Sequence, residues 1–426
     1  MGGVNWHKSL PYGINRISIA TGDTFEIANF FLSRFIMKPE PSQPNFTRRK
    51  YLAVAGGMAW MLLAATLTLL WLLHQAQILN VWQFPLKQIA AFLGGGGLAC
   101  LFLARFWGFW QHRRWLQRLV WMVAAFFALL NLLAFLFAYS LTHFTPPGTF
   151  GIGLPRPVNS RLPSDFGLEY TTDRIPVNDR EWLESWFVPA PNPSASKGTI
   201  LLFPGQGGSK GKQLLAPAQV LHRLGYDTLL VDFRGVGGSS GRTSTIGVRE
   251  AKDVALAVTY ARQLQQQSQP QIQRRSPIVL YGVSMGTAAI LQAVARENVT
   301  PDAIVLELPF SRLLEAVRVR LDARGIPTFP MAELVVFWGG IQHGFNGFAH
   351  NPIDDARQVR TPTLVLHGEG DRWMSLTQID ELITAFPAQK QLTIFPNAGH
   401  QLLVTVDRDL WSRSIDRFLR VVGDKF

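Results

Sequence analysis

The chain has 426 residues, with 41 Lys/Arg against 29 Asp/Glu, a net charge of +12 and one cysteine. That length exceeds a compact domain of usual size, so at least two regions are expected. A lone cysteine excludes an internal disulfide. The placement of charge argues against nucleic acid as partner: residues 1–150 carry +9 of the +12, and their basic residues flank apolar runs.

Residues 1–50 read as a tail, in which the apolar stretch Phe25 to Met37 suits a membrane surface. A membrane module is expected over 51–142. Tyr51 to Leu73 and Leu119 to Thr142 are uncharged runs of 23 and 24 residues, each long enough to cross a hydrocarbon core of roughly 30 Å. Between them lies a weaker segment, about 86–107, interrupted by Gly94 to Gly97. Those glycines lower helix propensity by about 1 kcal/mol each relative to alanine, yet in lipid they let a neighbouring helix approach closely. Three transmembrane helices, about 51–73, 86–107 and 119–142, are the reading. Arg34, Lys38, Arg48, Arg49 and Lys50 precede the first span, and Arg105, Arg113, Arg114 and Arg118 lie between the second and third. Basic loops stay in the cytoplasm. The N-terminus is therefore expected there, and everything after the third span on the extracytoplasmic side.

Residues 143–167, with five prolines, read as an irregular linker. From 168 to 426 strand and helix patterns alternate, which implies a mainly parallel sheet covered on both faces. Strands are expected at Leu168–Thr172, Ser185–Val188, Thr199–Phe203, Thr228–Phe233, Pro277–Val283, Ala303–Leu306, Thr363–Leu366 and Leu392–Phe395. A helix is expected over 248–264, and glutamine-rich Gln265 to Ser276 as a loop. The glycine-rich loops fail the nucleotide patterns. Gln206 and Gln213 break a P-loop around Gly211-Lys212, and Ser240 stands where a dinucleotide fingerprint needs its third glycine. The turn from Asp232 to Gly241 is read as structural.

Gly282-Val283-Ser284-Met285-Gly286 follows a strand and opens a helix. Such a turn lifts Ser284 clear of the sheet, and small residues are needed two positions either side. The N–H of Met285 then points where an oxyanion would form. Gln206, after the strand expected beside it, is the candidate for the second donor. A serine hydroxyl needs a base and an orienting acid. His400, after the last strand, fits the base. Asp371 fits the acid, with Glu369 as an alternative, and His367 reads as structural. The order serine, acid, histidine, each at a strand's C-terminal end, points to nucleophilic acyl chemistry. The 50 or so residues between Glu307 and Val359, with apolar Leu334 to Ile341 and His343 and His350 nearby, suit a small cap. The two histidines are too isolated for a metal.

These motifs, with Trp186-Phe187-Val188-Pro189, Phe203-Pro204-Gly205-Gln206-Gly207-Gly208 and His367-Gly368-Glu369-Gly370-Asp371, make residues 165–424 resemble the α/β-hydrolase superfamily. They look most like its membrane-tethered serine esterases, which include lysophospholipases and depalmitoylases. The resemblance implies an α/β-hydrolase fold with helices on both faces and a small cap. It also implies Ser284 as nucleophile, Asp371 as acid and His400 as base. Two departures stand out: Pro204 replaces a frequent histidine, and Arg372-Trp373-Met374-Ser375 replaces an apolar-Val-Pro run after the acid. The expectation is a membrane-anchored serine hydrolase of ester or thioester bonds, with an acyl or lipid-like substrate and no cofactor or metal. A serine peptidase and a non-catalytic membrane-anchored binding protein are the alternatives.

Overall fold

The computed structural model describes residues 114–268 and 276–423. The tail at 1–50 and the expected spans at 51–73 and 86–107 lie outside the described residues. The expected third span is a helix, α1 (Arg114–Thr142). Its stretch Arg118–Thr142, 25 residues, is the one helix among the described residues long and apolar enough to cross a membrane. Trp121, Phe126, Phe127, Leu132 and Leu133 are exposed on it.

Short strands β1 (Phe144–Thr145) and β2 (Leu154–Pro155) pair in parallel within the expected linker. The main sheet is built from β3 (Thr171–Pro176), β4 (Trp182–Val188), β5 (Thr199–Phe203), β6 (Asp227–Val231), β7 (Ile278–Val283), β8 (Ala303–Glu307), β9 (Thr363–Gly368) and β10 (Lys390–Phe395). The helices are α2 (Leu215–Arg223), α3 (Glu250–Ser268), α4 (Met285–Arg296), α5 (Leu313–Asp322), α6 (Met331–His343), α7 (Pro352–Ala356), α8 (Leu376–Ala385) and α9 (Arg408–Gly423).

The strand order is β10-β9-β8-β7-β5-β6-β4-β3, and β4 alone runs against its neighbours. The mainly parallel sheet expected from the alternation is present. Its inner strands β5, β7, β8 and β9 are buried along their whole length, as unbroken apolar runs require when both faces are covered. One apolar cluster contains Leu201, Leu280 and Leu306, and another contains Leu202, Tyr281 and Val305. Consecutive strand residues point to opposite faces, so each cluster occupies one face. Helix α9 shows the logic from the helix side: Trp411, Ile415, Phe418, Leu419 and Val422 are its buried residues, one stripe at the spacing of a 3.6-residue turn.

Boundaries shift where local hydrogen bonding intervenes. The first sheet strand begins at Thr171 rather than Leu168, because Pro163–Phe166 forms a 3-10 turn capped by left-handed Gly167, and Leu168 N–H donates back to Pro163 O. Helix α3 runs on to Ser268, so Gln265 to Ser268 are helical rather than loop.

Helix α1 lies along α6 at its C-terminal end. Ala134 and Ala138 are buried there, one turn apart. Trp338 Nε1 donates to Asn131 Oδ1 at 3.2 Å, and Gln342 Nε2 to Phe135 O at 2.9 Å.

Candidate active site

Strand β7 ends at Val283, and the chain turns into α4 through Ser284, which has φ 50° and ψ −109°. A non-glycine residue holds such a backbone only when its surroundings over-determine it. Here the constraint is close packing. A Cβ on Gly282 would lie 2.7 Å from the carbonyl carbon and oxygen of Gly286, and a Cβ on Gly286 would lie 2.7 Å from Phe203 O. Ser284 N–H donates to Glu307 O at 2.8 Å, which ties the turn to the end of β8.

The structure brings the serine, the acid and the histidine together at the C-terminal edge of the sheet. His400 Nε2 lies 3.1 Å from Ser284 Oγ, and His400 Nδ1 lies 2.8 Å from Asp371 Oδ2. The other oxygen of Asp371 accepts Trp373 N–H at 2.7 Å. Asp371 follows β9 and His400 follows β10, which are paired in register along their length. Their loops also hold each other: Gly370 N–H donates to Ala398 O at 2.8 Å. Glu369, the alternative acid, is exposed and accepts Asn397 N–H at 3.2 Å. It braces the histidine loop and does not meet the imidazole. His367 is buried with Nδ1 4.0 Å from Asp371 Oδ2, and burial lowers its pKa.

Gln206 and Met285 are also at this edge. Phe203 pairs with Gly282, so the loop after β5 emerges beside the serine, and a Cβ on Gly205 would lie 3.2 Å from Ser284 Cβ. Gly205 N–H donates to Gln213 Oε1 at 2.8 Å, and Gly208 N–H closes the turn onto Gly205 O at 3.1 Å. Gln206 N–H has no acceptor among the described residues. Met285 opens α4, and the first N–H groups of a helix have no intrahelical acceptor.

Three features escaped the sequence reading. Lys210 is fully buried, with Nζ 2.5 Å from Asp232 Oδ2, 2.8 Å from Glu184 Oε1 and 4.4 Å from the Trp186 ring centroid. Asp232 also accepts Lys210 N–H at 2.7 Å and Gly238 N–H at 3.1 Å. The two glycine-rich loops are thus pinned to one carboxylate, and no spacing in the sequence announces it. Glu307 is the second. It is buried, and accepts Tyr281 OH and Trp411 Nε1–H at 2.7 Å and Leu403 N–H at 2.8 Å. Burial pushes its pKa up despite these donors. A charge ending the apolar run Ala303 to Leu306 was the available signal. Third is Trp373, whose ring centroid lies 5.3 Å from that of His400. A cavity of about 60 Å³, lined by residues such as Thr199, Asp227 and Ser276, sits at the opposite edge of the sheet, where strands begin. Space of that size suits a few waters and has no bearing on Ser284.

Comparison with known proteins bears on the family. The sequence pattern of the Alpha/beta hydrolase family matches residues 200–411. An uncharacterised Mycobacterium tuberculosis protein is 30% identical over 247 residues, 58% of this chain and 77% of that one. Protein bem46 of Schizosaccharomyces pombe is 26% identical over 63% of this chain and 82% of its own. Lysophosphatidylserine lipase ABHD12 of Danio rerio is 28% identical over 202 residues, 46% of this chain and 47% of the lipase. The chain spans 64% of the Bacillus subtilis protein YqkD that it also matches. Among solved structures, the Pyrococcus furiosus esterase Pf2001 aligns with a TM-score of 0.52 at 20% identity, covering 62% of this chain and 96% of the esterase. This chain belongs to the alpha/beta hydrolase family.

Proposed function

We propose that this chain is a membrane-anchored serine hydrolase that cleaves an ester or thioester of an acyl or lipid-like substrate. The observation that carries the reading is the relay of 3.1 Å and 2.8 Å from Ser284 Oγ through His400 to Asp371. In it, Ser284 Oγ attacks the substrate carbonyl carbon while His400 Nε2 takes its proton. Asp371 fixes the imidazole, with Nδ1–H towards the carboxylate, and stabilises the imidazolium. The N–H groups of Gln206 and Met285 hold the oxyanion. The bond to the leaving group then breaks, and the leaving oxygen or sulfur takes the proton from His400. Water attacks the acyl-serine carbonyl while His400 accepts its proton; the bond to Ser284 Oγ then breaks, Oγ takes that proton from His400, and the acid departs.

A fluorophosphonate probe is expected to label the purified protein, and Ser284→Ala to abolish the label. Labelling that survives the substitution would sink the assignment. The same probe with short-chain nitrophenyl ester turnover separates this reading from a binding protein on a hydrolase scaffold. An ester and peptide panel separates it from a peptidase. Anchoring rests on α1 and on the uncharged runs before it. With three spans and a cytoplasmic N-terminus, reporter fusions at residues 80, 112 and 165 should read outside, inside, outside. A cytoplasmic signal at 165 overturns the topology and leaves the serine assignment standing.

A further inference from the structure

The run Arg372-Trp373-Met374-Ser375 departs from the family's pattern, and its side chains have separate tasks. Ser375 caps α8, accepting Gln378 N–H, and Met374 is buried. Trp373 lies against the imidazole of His400, tilted 32° to it. Against the same indole lies the guanidinium of Arg320, 4.5 Å from the ring centroid. One aromatic ring therefore separates this cation from the base of the site.

Arg320 differs from the two arginines that precede it in this region. Arg318 pairs with Glu315 and Glu333 at 2.8 and 2.6 Å, and Arg312 pairs with Glu381 at 2.9 Å. No carboxylate pairs with Arg320 among the described residues. It is half-buried, and burial together with Arg324 nearby lowers its pKa to about 10. A guanidinium has five N–H donors in a planar fork. Holding it out of water beside a second cation, with no carboxylate paired to it among the described residues, disfavours its charge. An anion placed against it restores what burial removed. The planar fork matches a carboxylate or phosphate through two parallel hydrogen bonds, and the indole keeps the fork's plane fixed.

We propose that Arg320, held on Trp373, is a subsite for an anionic group, phosphate or carboxylate, carried on the leaving-group half of the ester substrate. The proposal rests on the esterase reading of Ser284. Trp373 joins the guanidinium to His400, the group that hands a proton to the leaving oxygen, and the proposal therefore assigns the anion to the leaving-group half.

The test compares three lauroyl esters on the full-length protein in neutral detergent: lauroylglycerol, lauroylglycerol phosphate and lauroyl lactate. Arg320→Gln should lower the ratio of kcat/KM for charged over neutral ester about tenfold, mainly through KM, and Arg320→Lys should lower it less. If only one charged ester responds, it identifies the anion. Binding is read independently of turnover by titrating octyl phosphate into Ser284→Ala protein, with and without R320Q. About tenfold weaker binding with R320Q is expected. An unchanged ester ratio with unchanged octyl phosphate affinity overturns the subsite, as does an equal loss on all three esters. Arg320-dependent octyl phosphate binding without any ester hydrolysis keeps the subsite and removes the esterase reading. Hydrolysis without an Arg320 effect does the reverse.

Discussion

Around Ser284, single atoms decide the geometry. Gly286 sits where its added Cβ would meet Phe203 O at 2.7 Å, and that atom is main chain in a buried central strand, so it has little room to yield. Gly286→Ala should therefore push the turn away from β5 and separate Ser284 Oγ from the Gln206 loop. The expected result is a loss of fluorophosphonate labelling rate of about 100-fold, the order seen when one oxyanion donor is misplaced. Wild-type labelling would show that the turn tolerates the methyl. Glu307 offers a second residue-level test. All of its partners are donors, so Glu307→Gln sets an amide N–H against a donor that can no longer be satisfied. A cost of about 1–3 kcal/mol follows, read as a lower thermal midpoint. An unchanged midpoint would mean that the buried carboxyl contributes little.

At the scale of elements, the loops after β5 and β6 hang on one buried ion cluster. Lys210 bonds Asp232 and Glu184, and Asp232 also holds Gly238 N–H. Removing the cation alone leaves a buried carboxylate without its counter-charge, a change that costs about 3–5 kcal/mol. Lys210→Met should destabilise the protein by that order in urea unfolding. It should also slow ester turnover, because the loop carrying Gln206 loses its anchor. Adding Asp232→Asn should return part of the stability, since it removes the orphaned charge. A single substitution that proves near-neutral, or a double that is worse than additive, argues that other contacts hold the loops. Helix α8 makes a related point: the S-x-x-Q box at Ser375 and Gln378 stops the acid loop a few residues after Asp371, and that short span fixes Trp373 against His400.

Across the whole molecule, the apolar helix α1 is joined to both α6 and the loop after β5. Gln206 Nε2 donates to Leu141 O at 2.9 Å, which satisfies a carbonyl in the last turn of α1, while Gln342 and Trp338 bond α1 from α6. At this junction His143 and His343 lie 5.2 Å apart, ring to ring. Burial drives His343 down to about 3, helped by His143 and Arg249. The sign follows from the depressed folded value. Neutral His343 contributes its full stability above the unfolded pKa near 6.5, and that contribution is lost as pH falls from there towards about 3. At pH 5 the loss is at most about 2 kcal/mol. Wild-type thermal midpoints should fall between pH 7 and pH 5, and His343→Leu should fall less. Parallel slopes for the two proteins would place the acid sensitivity elsewhere.

Much of the architecture was legible from one dimension. Unbroken apolar runs such as Thr199 to Phe203 and Ile278 to Val283 announce buried parallel strands, because both of their faces need cover. Ser284, Asp371 and His400 were legible as candidates for a related reason: their chain order and strand-end positions can be read along the sequence. The sequence favoured Asp371 and left Glu369 open, and tertiary structure decided which carboxylate meets the imidazole. Asp371 and Glu369 are two residues apart on one loop, and the bond from Gly370 to Ala398 O sets which of them faces His400. Lys210 with Asp232, Glu307 with Tyr281 and Trp411, and Arg320 with Trp373 are equally beyond sequence reasoning. A polar residue's partner lies tens of residues away, and local patterning encodes burial and period but not which distant groups meet across a loop.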